Sequence, residues 1–195
     1  MGTQRRRGTF LVNAWPALSA AILLLIVVAV ARVHRRSATR TVAAQSKGDF
    51  GLLVFARKAG RIEMLDRFNR AVRPGDEVRF VLTGTPEGHA YVLVGSVDGS
   101  GRPNVYFPFE GTKSVPLPGP GRWEVPGSIE LDDTLGPERV FVFFSPQPLE
   151  VTEVREALST LGRRGANAIR DAQAVDVPRT TQRSFLMMKE AKITR

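Results

Sequence analysis

The stretch Ala90-Tyr91-Val92-Leu93-Val94-Gly95-Ser96-Val97-Asp98-Gly99-Ser100-Gly101-Arg102-Pro103-Asn104-Val105-Tyr106-Phe107-Pro108 sets two apolar runs on either side of an Asp-Gly pair. Asp-Gly supplies the positive φ that a tight reversal needs, so the segment is expected to form a β-hairpin. Asp98, Ser100 and Asn104 bear oxygens, but the loop lacks the acidic count and spacing of a calcium loop. The hairpin is the simpler reading.

The same alternation extends outward. From Asp49 onward, short runs rich in Val, Phe, Tyr and Leu are punctuated by Gly and Pro roughly every ten residues, the pattern of an all-β sandwich or barrel. Strands are expected at 51–57, 61–66, 77–83, 90–97, 103–108, 121–125, 128–132 and 138–145. In 77–83, Val78, Phe80 and Leu82 share one face and Glu77, Arg79 and Thr83 the other, which gives one buried and one wet side. Residues 140–144 are apolar on both faces and belong in a central strand. Segment 108–128 holds Pro108, Pro116, Pro118, Pro120 and Pro126 with glycines between them, which is incompatible with long regular pairing. It reads as a surface loop and as the candidate contact surface, with Trp123, Tyr106, Phe109 and Arg122 as its residues. Trp123 reads more readily still as an aromatic that caps the core.

After the strands the period changes. Val151, Val154, Leu158 and Leu161 line one face of a helix over 151–161, with Glu150 and Glu153 near its start, Arg163 and Arg164 past its end, and Gly162 placed to cap it. Such a helix packs on an open sheet face or edge. A weaker helix is expected from Asn167 to Ala174, and 184–190 returns as a last strand. The fold class is therefore mainly β: an antiparallel sandwich, immunoglobulin-like or similar, with one or two C-terminal helices packed on it. The domain occupies 49–195.

Ahead of it, residues 10–31 are uncharged and follow a basic tail, 1–9, that contains Arg5, Arg6 and Arg7. At about 1.5 Å per residue the run makes a helix of roughly 33 Å, the thickness of a bilayer core. The layout is that of an export signal, and Ala29-Val30-Ala31 fits signal peptidase. The length of the run and the arginines that follow it, Arg32, Arg35, Arg36 and Arg40, favour a retained anchor. Arg6-Arg7 before Phe10-Leu11 has the wrong spacing for a twin-arginine signal. Residues 32–48 read as a basic juxtamembrane linker whose arginines sit among headgroup phosphates. Three arginines precede the span and four follow it, so the charge rule is nearly balanced. The short N-terminal tail favours an N-terminus in the cytoplasm and an exported domain.

The net charge of +9 invites a nucleic-acid reading. Of the 28 lysines and arginines, however, eight fall in residues 1–47, where there is no acid, and this leaves 20 against all 19 acids in the rest of the chain. The basicity belongs to the membrane flanks, and the domain total is nearly neutral, unlike a surface that neutralises phosphates along a nucleic acid. The absence of cysteine excludes disulfides, thiolate metal sites, a cysteine nucleophile and a lipidated cysteine.

Catalytic chemistry is scarce. His34 and His89 are the only histidines, too few for a two-histidine metal pair or a histidine triad inside the domain. No nucleophile elbow, phosphate loop or dinucleotide fingerprint is present. Asp132 and Asp133 with Glu130 read as turn chemistry, because adjacent strand residues point to opposite faces. No cofactor is expected and no metal.

The order of elements resembles a known family. Gly75-Asp76-x-Val78-x-Phe80, Tyr91-Val92-Leu93 with Val97-Asp98 and Gly101, Val105-Tyr106-Phe107-Pro108, then Gly136-x-Glu138 and Ser145 before Pro148-Leu149 resemble the bacterial domain-of-unknown-function family 4384, over about residues 70–150. The resemblance implies an exported or membrane-tethered β domain of the kind found beside signalling modules such as anti-sigma factors, protein kinases and caspase-like peptidases. It carries no catalytic residues over. The functional expectation is a single-pass inner-membrane protein with a periplasm-facing, non-catalytic binding module, accessory to envelope signalling or assembly. Its partners are membrane lipid through 10–31 and an envelope protein, peptide or glycan, with no nucleic acid. Two alternatives stand beside it: a self-assembling scaffold that docks copies through the helix and 184–190, and a hydrolase of envelope polymers using Asp132, Asp133 and His89.

Overall fold

The computed structural model describes residues 50–192. The chain divides into units 1–45 and 46–195. The span 10–31, the basic tail, the linker 32–48 and the arginines Arg5, Arg6, Arg7, Arg32, Arg35, Arg36 and Arg40 lie outside the described residues. Among the described residues no helix is long and apolar enough to cross a membrane.

The described body is mainly β, with two sheets and two helices. In the first sheet β1 (Gly51–Lys58) lies between β2 (Arg61–Leu65) and β4 (Glu77–Thr83), and β4 also pairs with the short β8 (Arg122–Glu124) and β9 (Ile129–Glu130). Strands β1 and β2 join through Ala59-Gly60, both at positive φ (46° and 79°), the two-residue reversal whose twist matches that of the strands. In the second sheet β10 (Gly136–Ser145) runs between β11 (Thr181–Lys189) and β5 (Tyr91–Val97). β6 (Pro103–Phe107) and β7 (Val115–Pro116) pair with β5, and β3 (Ala71–Val72) pairs with β11 in parallel. That last pair makes the sheet mixed, where an antiparallel one was expected.

The expected hairpin at 98–101 is present and joins β5 to β6. Asp98 is fully buried and fixes the reversal: its carboxylate accepts from the Ser100 and Arg102 amides at 2.9 and 3.1 Å and from the Ser100 hydroxyl at 2.6 Å.

Strand β10 explains the layering. Val140, Val142 and Phe144 face a core between the sheets, together with Val54, Val78, Phe80, Val92 and Met187. Phe141 and Phe143 face the other way, into a second core with Leu93, Val97 and the helices. The doubly apolar run 140–144 is thus a central strand, as its composition requires. Helix α1 (Val151–Gly162) contributes Val154, Leu158 and Leu161, and α2 (Ala166–Asp171) contributes Ile169. Burying side chains of this size stabilises by about 1.5–3 kcal/mol each.

Gly162 does not end α1 in a left-handed cap; the helix runs through it, and Arg163 follows in right-handed geometry. Its glycine is needed for approach instead: a Cβ there would lie 2.1 Å from the Gly101 carbonyl oxygen. The hairpin tip therefore rests directly on the helix end. The second helix stops at Asp171, short of the expected Ala174, and the last strand starts earlier than expected, at Thr181. The apolar face of helix α1 packs in the second core, and residues 184–189 pair with β10.

Candidate functional site

Two ionisable constellations stand out, one closed and one open. The closed one lies at the end of the inter-sheet core. Met187 and Lys189 share a face of β11, Glu138 pairs with Met187, and all three side chains turn inward. A register shift in β6 opposite Val94 and Gly95 adds a bulge that turns Tyr106 inward beside Phe107, where it stacks on Phe80 at 5.7 Å. The Tyr106 hydroxyl donates to Glu138 Oε1, as does the Ser96 hydroxyl at 2.8 Å. Lys189 Nζ lies 2.9 Å from Glu138 Oε2 and 2.5 Å from Asp132 Oδ1.

The charges are mutually dependent. Burial pulls the Lys189 ammonium down, but Glu138 and Asp132 together outweigh it and its pKa stands above the ordinary lysine value. Burial raises Asp132, but the Lys189 and Thr134 hydrogen bonds and the Lys189 charge win, and its pKa falls below the usual aspartate value. Burial first, and then the Glu138 charge and hydrogen bond, push Tyr106 far above an ordinary phenol. Glu138 Oε1 accepts from both hydroxyls, and Oε2 faces the Lys189 ammonium as an ion pair. Glu138 and Lys189 are 0 and 3 % exposed, whereas Asp132 is exposed and Tyr106 is half-buried. This arrangement fastens β5, β6, β10 and β11 to the 131–134 turn.

The open constellation is a groove of about 570 Å³ lined by Arg67, Arg70, Arg139, Arg170, Asp171, Gln173, Ser184, Phe185 and Leu186. Arg139 projects from β10 on the helix side and is only 6 % exposed. Its Nε donates to the Ile169 carbonyl at 3.2 Å and one Nη to the Arg170 carbonyl, so it caps the end of α2, where carbonyls lack helical partners. Its other Nη lies 3.4 Å from the Ser184 hydroxyl. Burial and then the charge of Arg70 lower its pKa, against the pull of Asp171. Arg170 bonds Asn167 at 3.1 Å. Arg67 and Arg70 come from the turn after β2, where the Asp66 carboxylate accepts from the Phe68 and Asn69 amides at 2.7 and 2.8 Å. The Phe68 side chain, 83 % exposed, carries the Arg67 guanidinium 4.5 Å above its ring.

The residues singled out in the sequence do not gather. Trp123 is half-buried on β8, edge-on to Phe107 at 5.5 Å, and Phe109, 55 % exposed, meets the same Phe107 at 6.2 Å. Arg122 takes the opposite face of β8 and lies 6.0 Å from the Phe55 ring. Tyr106 points into the sandwich. His89 Nε2 lies 3.0 Å from the Thr181 hydroxyl and Nδ1 2.8 Å from the Glu87 carbonyl, while Asp132 binds Lys189; the two share no partner. Asp133 is exposed. Among the described residues no group of three or more His, Asp or Glu is placed to hold a metal.

Against family models, curated proteins and solved structures, the chain has no match. The site is therefore read from its own geometry. The groove escaped the sequence because its arginines come from three distant segments, and the near-neutral total of the domain hides their local concentration.

Proposed function

We propose that the chain is a single-pass inner-membrane protein whose β body, an immunoglobulin-like sandwich, faces the periplasm as a non-catalytic binding module accessory to envelope signalling or assembly. On this reading it is a membrane-anchored relative of bacterial domain-of-unknown-function family 4384, through Gly75-Asp76, Asp98 with Gly101, and Tyr106-Phe107-Pro108. The observation that carries the binding role is the contrast between the two constellations: the cluster with catalytic residue types is sealed, and the open groove is lined by arginines that bind rather than react. The anchor rests on the uncharged run 10–31 and its arginine flanks.

A reporter enzyme active only outside the cytoplasm, fused after Arg195 of the full chain, tests the arrangement. Activity together with retention in the membrane pellet after alkaline washing supports it. An inactive reporter reverses the orientation, and release into the aqueous fraction with the first residues still attached removes the anchor.

A further inference from the structure

We propose that the groove lined by Arg67, Arg70, Arg139 and Arg170 binds a phosphate group. Its volume, about 570 Å³, falls among small-ligand pockets, roughly 300–1,000 Å³. Asp171 is the only carboxylate in its lining. Eight ion pairs form among the described residues, and none includes any of the four arginines. Among the described arginines only Arg57, Arg79 and Arg102 pair with acids, so it is the gathering of four in one groove that sets these apart. Here four guanidiniums face one carboxylate, Asp171, an excess of positive charge that an entering anion offsets.

The groups are also held in place. Arg139 is tied by the end of α2 and cannot swing out to water. Arg67 is stacked on Phe68, whose turn is pinned by Asp66. A guanidinium presents a planar fork that pairs with two oxygens of an oxyanion at once, which a lysine does not do. A carboxylate offers two oxygens in one plane, whereas a phosphate offers a tetrahedron. Arginines supplied from the turn after β2, from β10 and from α2 suit the tetrahedral group, and the Ser184 hydroxyl adds a donor at the floor beside Arg139. This deepens the binding-module reading and rests on it only in treating the groove as a working site; it does not need the anchor.

The test titrates the full-length protein, in phosphatidylcholine nanodiscs at low salt, with inorganic phosphate by calorimetry. Saturable binding that weakens as salt rises is expected. The double variant Arg67→Gln/Arg70→Gln, at exposed turn positions outside both cores, should bind at least tenfold more weakly, and Arg170→Gln severalfold more weakly, with unchanged circular dichroism. Nanodiscs containing phosphatidylglycerol separate the two sources of phosphate. A weaker apparent affinity for free phosphate there makes a lipid headgroup the occupant, and an unchanged one makes it a soluble phosphate compound. No saturable binding in phosphatidylcholine, or equal affinity in wild type and double variant, overturns the proposal and leaves the reporter result on the anchor untouched.

Discussion

Replacing Lys189 by Met tests whether the buried network fastens the second sheet to the 131–134 turn. The ammonium sits 2.9 Å from a Glu138 carboxylate that is fully buried, so its removal strands a negative charge with only the Ser96 and Tyr106 hydroxyls for company. Breaking a buried pair in this way costs about 3–5 kcal/mol. The expected loss is about 3 kcal/mol at pH 7, at the lower end of that range because the Ser96 and Tyr106 hydroxyls still solvate the carboxylate. Adding Glu138→Gln should recover most of it, since a neutral amide oxygen still accepts from both hydroxyls. The assay is urea unfolding of the unit 46–195, followed by Trp123, its only tryptophan. A loss below 1 kcal/mol at pH 7, or no recovery in the double variant, refutes the reasoning.

Gly162→Ala should lower the stability of the same unit by about 1–3 kcal/mol, because the new methyl meets the Gly101 carbonyl. An ordinary helical Gly→Ala change gains about 1 kcal/mol, so a raised melting temperature defeats the packing account. The pH profile of the wild type follows from two shifted groups. Asp132, lowered, contributes stability above its unfolded value that is lost as pH falls through its folded value, below about pH 4. Lys189, raised, contributes stability below its unfolded value that is lost as pH rises through its folded one, above about pH 10.5. Melting temperatures should therefore be flat between those limits and fall outside them; a maximum confined near pH 7 contradicts this assignment.

The fold was legible where the signal is local. Asp98-Gly99 announced its hairpin, the alternation of Val78, Phe80 and Leu82 announced a half-buried strand, and Val140–Phe144 announced a strand covered on both faces. The helix stripe Val151, Val154, Leu158 and Leu161 fell where expected. What stayed hidden is non-local. The two-residue strands β3 and β7 are too short to carry a period. The bulge at Tyr106 depends on pairing with β5 and inverts the side its alternation predicts. Glu138 and Lys189 meet across 51 positions of sequence, and Arg139 meets Arg70 across 69, separations no pattern window spans. Gly162 looked like a helix stop because composition does not reveal a neighbouring backbone.

The pairing of β10 with β11 also imposes an order in time. A ribosome that has just made Glu138 must add residues up to 189 before the counter-charge exists, which takes roughly 3–10 s at ~5–20 residues per second. Over that interval the nascent chain has an acid without its base and a central strand with one open edge. Closure of the second sheet around β10 is thus deferred until late in synthesis.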